Sequence, residues 1–575
     1  MNREKGNLHW ALIGMVALLL LTTALVWHDL AVHEVLGRDE NLTIIKVHQP
    51  DLKALLAASR VKASGDPTAM PPLYFFAQYF FWPLVQRNTF MLRFLSSVAA
   101  ILTVVFTYKL ASVLLASGRF ASTARTVGLV AGLLTILLTI TVRYAQIARP
   151  YTFLTLFSMA SAYFVIQAQK SNRPAHWAGF VCASTLNIYN HYVGLFVLAA
   201  EGLFIGVFWL IDLFAVLRRQ RSPRILIGPV LGFLMVGLLS LPSLMRLIQI
   251  PEVGTRGQPQ VELTVAFFHR LLYKLGLVTP WLRGLVLGLM AVGLLAAARL
   301  RQWKVILLSA LWMAVPLLAL SVLRTPRPFA ERYLIFLPPV AFLLVGMGVV
   351  ALGILLSQMA PSRRRPAVQW AVDGLLSAIL VLSLVPSLRS YYQANRAVDR
   401  LDLTLQIVET SAQPGDLILV SSRFFVRPLK ANGAQTLYLA DDLTPAEFQT
   451  LLADYQRIWV LYTSYLPSQE LQEPMDQWIQ TRFDHFVRVP IKAITALALY
   501  HNPQIAAEAR WKNAIPILEQ LAEVSVGNQE AWLRYDALAA AHDSLSRVYA
   551  QRGDSIRAKE HRDQAKEIRA TAPKP

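Results

Sequence analysis

Apolar residues in this chain gather in long unbroken runs, not in the alternation of a half-buried strand or the stripe of a surface helix. The first run reaches from Leu8 to Trp27, and others lie near 90–116, 126–143, 151–168, 175–190, 193–216, 225–247, 281–298, 305–323, 332–357 and 368–388. An α-helix needs roughly 20 apolar residues to cross a bilayer, so the pattern predicts about eleven membrane spans. The polar start, with Arg3 and Lys5, and the His28-Asp29 pair after the first run give no small-residue cleavage site. That run is therefore expected to stay as a span.

Two further stretches are too short or too mixed to cross. Residues 71–86 (PPLYFFAQYFFWPLVQ) are apolar but interrupted by prolines, and are expected to form an interfacial or partly re-entrant helix. Residues 50–63 oppose leucines and alanines to Lys53, Arg60 and Lys62, as a helix lying on a membrane surface does. Together they make 28–89 a long first loop, suited to roof a site at the membrane surface.

From residue 389 the pattern turns soluble. A turn at Gln413–Asp416 leads into a strand at 417–421, and a helix at 443–455 has Thr444 and Glu447 in capping-box register. A strand at 457–463, a helix at 468–482 and strands near 485–500 complete a small α/β domain over 389–503. Residues 504–575 read as purely helical. Leu545, Tyr549, Gly553, Ala558 and Ala565 fall at tetratricopeptide spacing within one helix pair, the spacing that an alanine-rich hairpin also shows. The fold class expected is thus a polytopic α-helical membrane module over 1–388, followed by the α/β domain and a helical, tetratricopeptide-like tail.

Composition sharpens this. The 575 residues are 55% hydrophobic and only 16% charged, against about 25% charged in a soluble domain, and the mean hydropathy is +0.44. A wholly soluble enzyme and a disordered or fibrous chain are excluded. The single cysteine, Cys182, allows no internal disulfide. Lysine and arginine outnumber acids by 55 to 35, a net charge of +20. In a membrane chain that favours anionic headgroups and phosphates as partners over nucleic acid. Compact basic clusters recur in alternate connections: Arg119/Arg125, Lys170/Arg173, Arg218/Arg219/Arg221/Arg224, Arg299/Arg301/Lys304 and Arg363/Arg364/Arg365. By the positive-inside rule these face the cytoplasm with the N-terminus. Residues 28–89, 144–150, about 250–280, 324–331 and everything after 389 are then expected outside.

Residues able to carry chemistry concentrate in those outer segments. Asp39 and Glu40 follow the first span and read either as a solvated charge run or as a general base at the membrane surface. Pro71-Pro72-Leu73-Tyr74 opens the short helix, where prolines need no backbone donor. Arg149, before Pro150-Tyr151, is a cation suited to a phosphate oxygen pair or to snorkelling. Asn187, Asn190, His191 and Tyr192 form a polar break between spans, and Arg324, Arg327, Glu331, Arg332 and Tyr333 open a later one. His28, His33 and Glu34 do not share one helical face, which speaks against a metal there. Few ionisable residues lie deep within the spans.

The order of these signals resembles the membrane glycosyltransferases of the GT-C superfold. The likeness is greatest to bacterial relatives of the protein O-mannosyltransferases and of the aminoarabinose transferase acting on lipid A. It runs through Asp39-Glu40, Pro71-Pro72-Leu73-Tyr74, residues 89–108, Ala148-Arg149-Pro150-Tyr151, Tyr189-Asn190-His191-Tyr192 and Arg332-Tyr333-Leu334, most of 1–357. Met70 stands where relatives often have His or Lys, and Ile147 where an acid is common. The resemblance implies a hexosyl or pentosyl transferase whose catalytic residues are Asp39 and Glu40. It places the lipid-phosphate site at Tyr74, Arg149, Tyr151, His191, Tyr192 and Arg332. The donor it implies is a polyprenyl-phosphate sugar in a bacterial inner membrane, with the acceptor hydroxyl on protein, lipid or glycan. No cofactor is required, since a lipid phosphate leaving as a monoester does not oblige a chelating divalent metal. A transporter or flippase of lipid-linked glycans is the rival reading, and the tail offers a place for a protein partner.

Overall fold

The computed structural model describes residues 2–30, 38–60, 70–85, 88–116, 120–248, 261–322, 330–398, 408–420, 435–438, 457–463, 484–492, 495–501, 507–524 and 531–572. Its membrane module is a helical bundle. The first helix, α1 (Asn2–Trp27), is followed by three short ones, α2 (Arg38–Val47), α3 (Leu52–Arg60) and α4 (Leu73–Val85). Then come α5 (Thr89–Leu114), α6 (Ala124–Leu137), α7 (Thr139–Ala145), α8 (Tyr151–Ser171), α9 (Pro174–Asn190), α10 (Gly194–Leu217) and α11 (Arg224–Ile248). The module closes with α12 (Val265–Leu275), α13 (Pro280–Arg299), α14 (Trp303–Val322), a 3-10 turn at Glu331–Leu334, α15 (Leu337–Ser357) and α16 (Arg365–Val398).

Local chemistry sets many of these ends. The Asn88 side chain accepts the Phe90 and Met91 N–H groups and starts α5. Pro174 and Pro280 sit in the first turns of α9 and α13, where no backbone donor is needed. Gly276, at φ +112°, stops α12.

Among the described residues, nine helices are long and apolar enough to cross a membrane, or ten when α6 and α7 count as one span bent by 67°. The sequence pattern predicts eleven, and two particulars account for the difference. The 126–143 run breaks at Leu138, which has extended backbone between α6 and α7. The 175–190 run folds as α9, only 17 residues long, with buried Ser184, Asn187 and Asn190 on its inner face. The 71–86 stretch is the 13-residue α4, too short to span and carrying Pro83. Part of the expected 332–357 span is the 3-10 turn. The last span runs ten residues beyond 388, to Val398.

The core lies where α5, α6, α13 and α15 meet, around Val104, Val127, Leu134, Val345 and Val349. The α13–α15 crossing is close because Gly293 and Gly348 face backbone. A Cβ on Gly293 would collide with the Leu344 carbonyl, and one on Gly348 with that of Leu289. Small residues let membrane helices approach in this way.

Beyond α16 stands a five-stranded mixed sheet: β1 (Leu417–Val420), β2 (Gln435–Tyr438), β3 (Arg457–Thr463), β4 (Asp484–Lys492) and β5 (Thr495–His501). The strand order is β2-β1-β3-β5-β4. β1 pairs in parallel with β2 and β3, while β5 is antiparallel to β3 and β4. Asp416, in the expected turn, takes bonds on one carboxylate oxygen from Arg457 (2.8 Å), the Trp459 indole (2.9 Å) and the Gln413 N–H (2.8 Å). The helices expected at 443–455 and 468–482 lie outside the described residues, and β2 is a strand the sequence pattern does not announce.

The chain ends in α17 (Ala507–Val524), α18 (Ala531–Gln551) and α19 (Ser555–Thr571). Leu545, Tyr549 and Ala558 are buried between α18 and α19 and pack on Trp511 and Ile515 of α17. Gly553, at φ +82°, makes the turn. This is one hairpin against one helix. The described residues do not extend to a stacked repeat array.

Candidate active site

Helix ends from across the module converge at one end of the bundle. There α2 lies along the short connection from α7 to α8. The Thr43 hydroxyl donates to the Ala148 carbonyl (2.9 Å), and the Ala148 N–H donates to Glu40 Oε1 (2.9 Å). Glu40 is also gripped by Arg93 of α5, whose Nε and Nη2 reach its two oxygens at 2.9 Å each. Arg93 Nη1 completes the set on the Leu30 carbonyl (3.0 Å). Both charges are buried, and their bidentate contact with extra hydrogen bonds is the arrangement a buried ion pair needs. Glu40 thereby ties α2, α5 and the residue before Arg149 together. Asp39 occupies the first turn of α2 in this position; its side chain lies outside the described residues.

The two residues after Ala148 are fixed as firmly. The Arg149 carbonyl accepts from Ser96 (3.3 Å), and the Pro150 carbonyl from the Asn190 amide (2.9 Å). The Arg149 side chain is buried, with Nη2 3.8 Å from Met70 Sδ. Met70 thus lies against the cation.

Beside Arg149 stands an aromatic cluster. The Tyr151 ring is 4.7 Å from Tyr144, 6.0 Å from His191 and 6.2 Å from Tyr333, and His191 is 5.3 Å from Tyr333. The Arg332 guanidinium lies over both Tyr151 (5.6 Å) and Tyr333 (5.7 Å). Burial, reinforced by the charges of Arg149 and Arg332, pushes His191 down to about 4, although the residue as a whole is only partly buried. His191 Nδ1 accepts the Val193 N–H (3.2 Å), so in the neutral ring the proton sits on Nε2, available as a donor. Two guanidiniums beside a neutral imidazole and three phenol rings have the chemistry that anions and the faces of sugar rings take as partners.

Of the residues the sequence singles out, Arg149, Tyr151, His191 and Arg332 are brought together. Two others point away. Tyr74 is enclosed between Ser96 (2.8 Å) and Gln78 (2.9 Å), and burial pushes its phenol up. Tyr192 donates to the Ser243 carbonyl on α11 (3.2 Å), and burial raises it as well. Glu331 pairs with Arg270 of α12 at 2.9 Å. Sequence reading misses Arg93, which sits inside an apolar run, and Tyr144. A cation within a span is itself a signal.

No family model matches the sequence, and no curated protein does. Solved structures do match. ArnT from Cupriavidus metallidurans in its apo state is 12% identical over 85% of this chain and 98% of its own, with a TM-score of 0.51. The chain has the GT-C fold. The same ArnT bound to undecaprenyl phosphate aligns over 86% of this chain and 98% of its own at 13% identity, TM-score 0.49. The apo oligosaccharyltransferase of Archaeoglobus fulgidus aligns over 86% and 75% at 12% identity, TM-score 0.44.

Proposed function

We propose that this protein is an inverting glycosyltransferase that moves a sugar from a polyprenyl-phosphate carrier to an acceptor hydroxyl at the outer face of a bacterial inner membrane. The observation that carries the reading is the pair of cations, Arg149 and Arg332, gathered with Tyr151, Tyr333 and a neutral His191 beside the first turn of α2. In the mechanism, Asp39 takes the proton of the acceptor hydroxyl as its oxygen attacks the anomeric carbon. The bond from that carbon to the phosphate oxygen breaks, and the lipid phosphate leaves. Its charge grows in the transition state, where Arg149 and Arg332 stabilise it. A single displacement inverts the anomeric centre and needs one base, unlike the paired carboxylates of glycosidases. Residues 1–388 form the transferase module in this reading. The sheet domain (389–503) and helical tail (504–575) stand outside the cell membrane, where the tail can engage an acceptor or a partner.

One observation favours a transporter or flippase of lipid-linked glycans. Glu201 is fully buried within α10 and accepts from the Ser161 hydroxyl of α8 at 2.5 Å, and ionisable groups inside spans commonly line transport paths. The two readings separate in one experiment. Membranes containing wild type or Asp39→Asn at equal expression are supplied with radiolabelled polyprenyl-phosphate sugars, and label is followed out of the lipid fraction. Transfer in wild type and its loss in Asp39→Asn is the expected result. Equal transfer in both removes Asp39 as base. Label that stays on lipid but changes leaflet supports the flippase.

A further inference from the structure

A second group of cations stands at the opposite end of the bundle. Lys170 lies in the last turn of α8, 19 residues beyond Tyr151, which is about 28 Å along the axis at about 1.5 Å per residue. There the end of α8 meets the end of α10 and the start of α14. Lys304 of α14 donates to Gln169 Oε1 at 2.5 Å and lies over the Phe208 ring, 4.9 Å from its centroid. Lys170 donates to the Val113 carbonyl at the end of α5. Arg221 pairs with Asp212, and Lys304 is within Coulombic reach of Lys170, Arg221 and Asp212. The carboxylate of Asp212, the acid within reach of Lys304, is already engaged by Arg221.

Orientation in the membrane explains basic residues in the connections, and Arg218, Arg219, Arg299 and Arg301 supply those. It does not explain why Lys304 and Lys170 are held near one another on helix faces against their repulsion. Each ammonium has three N–H donors, and one acceptor engages each in the bonds above. Trp303, beside Lys304, is 61% exposed, and the Trp209 indole donates to the Leu226 carbonyl at 3.2 Å. Tryptophans at this level mark the boundary between hydrocarbon and headgroups.

We infer that Lys170, Lys304 and Arg221 form a binding site for a phosphate group at the membrane surface opposite the candidate active site, filled by the headgroup of an anionic phospholipid or by free phosphate. The exposed indole of Trp303 beside Lys304 puts the group at headgroup level, which favours the lipid.

The test uses the full-length chain purified in detergent and read by native mass spectrometry with phosphatidylglycerol or phosphatidylcholine, with and without excess inorganic phosphate. Wild type is expected to retain phosphatidylglycerol over phosphatidylcholine. Lys304→Gln should weaken that retention roughly tenfold, the size of one lost charge-assisted contact, while Lys304→Arg and Arg299→Gln keep it. Retention that survives excess phosphate assigns the site to the lipid. Displacement by phosphate, with a melting shift that Lys304→Gln abolishes, assigns it to the free ion. Equal retention in wild type and Lys304→Gln, or an equal fall in Arg299→Gln, overturns the site. Should Lys304→Gln not fold, Lys170→Gln carries the same comparison.

Discussion

Arg93 meets both oxygens of Glu40, and Oε1 takes the Ala148 N–H besides. That carboxylate holds α2 against α5 and the connection to α8, and Asp39 lies beside it in the same helix turn. In the proposed mechanism Glu40 is therefore the holder and Asp39 the base. Glu40→Ala strands a buried guanidinium and should cost about 3–5 kcal/mol, seen as a lower melting temperature. Asp39→Asn should leave melting unchanged and remove transfer. His191 makes a pH prediction. In the fold it resists protonation down to about 4, whereas the unfolded chain takes up the proton near an ordinary value of about 6.5. Stability present above about 6.5 is therefore lost progressively as pH falls toward about 4. His191→Gln should flatten the melting temperature over that interval. The adjacency of Asp39 and Glu40 was legible in the sequence, but the structural role of Glu40 was not, because it depends on Arg93, 53 positions from Glu40.

Span lengths were readable because a bilayer of fixed thickness sets them, and α5, α8 and α10 begin and end close to the apolar runs. Bends and terminations follow partners instead. The break between α6 and α7, the polar inner face of α9 and the 3-10 turn that presents Arg332 depend on neighbouring helices, which a hydropathy pattern does not contain. The same holds for α13 and α15. Gly348→Ala should force the two helices apart at the Leu289 carbonyl and cost about 1–3 kcal/mol, as overpacking does. Gly288→Ala, on the same helix as Leu289 but with open space around it, should be nearly neutral. Thermal unfolding of the pair in one detergent measures the difference.

The sequence divides into an apolar part and a soluble part near residue 388, yet α16 runs across that point for 34 residues without interruption. Beyond the boundary the Tyr391 hydroxyl donates to Gln146 Oε1 (3.0 Å) and Tyr392 to the Leu25 carbonyl (2.5 Å). The Gln146 amide in turn holds the Val26 and His28 carbonyls at 3.1 and 2.6 Å. Tyr391→Phe should lower transfer severalfold with the protein still folded, since the lost bond is worth about 1 kcal/mol and bears on the connection that carries Arg149. An unchanged rate with correct melting would detach α16 from the site. Through these two hydroxyls the end of the last membrane helix is braced against the end of the first and against the connection that carries Arg149, so a load borne along α16 would be delivered there and not dissipated in the bundle.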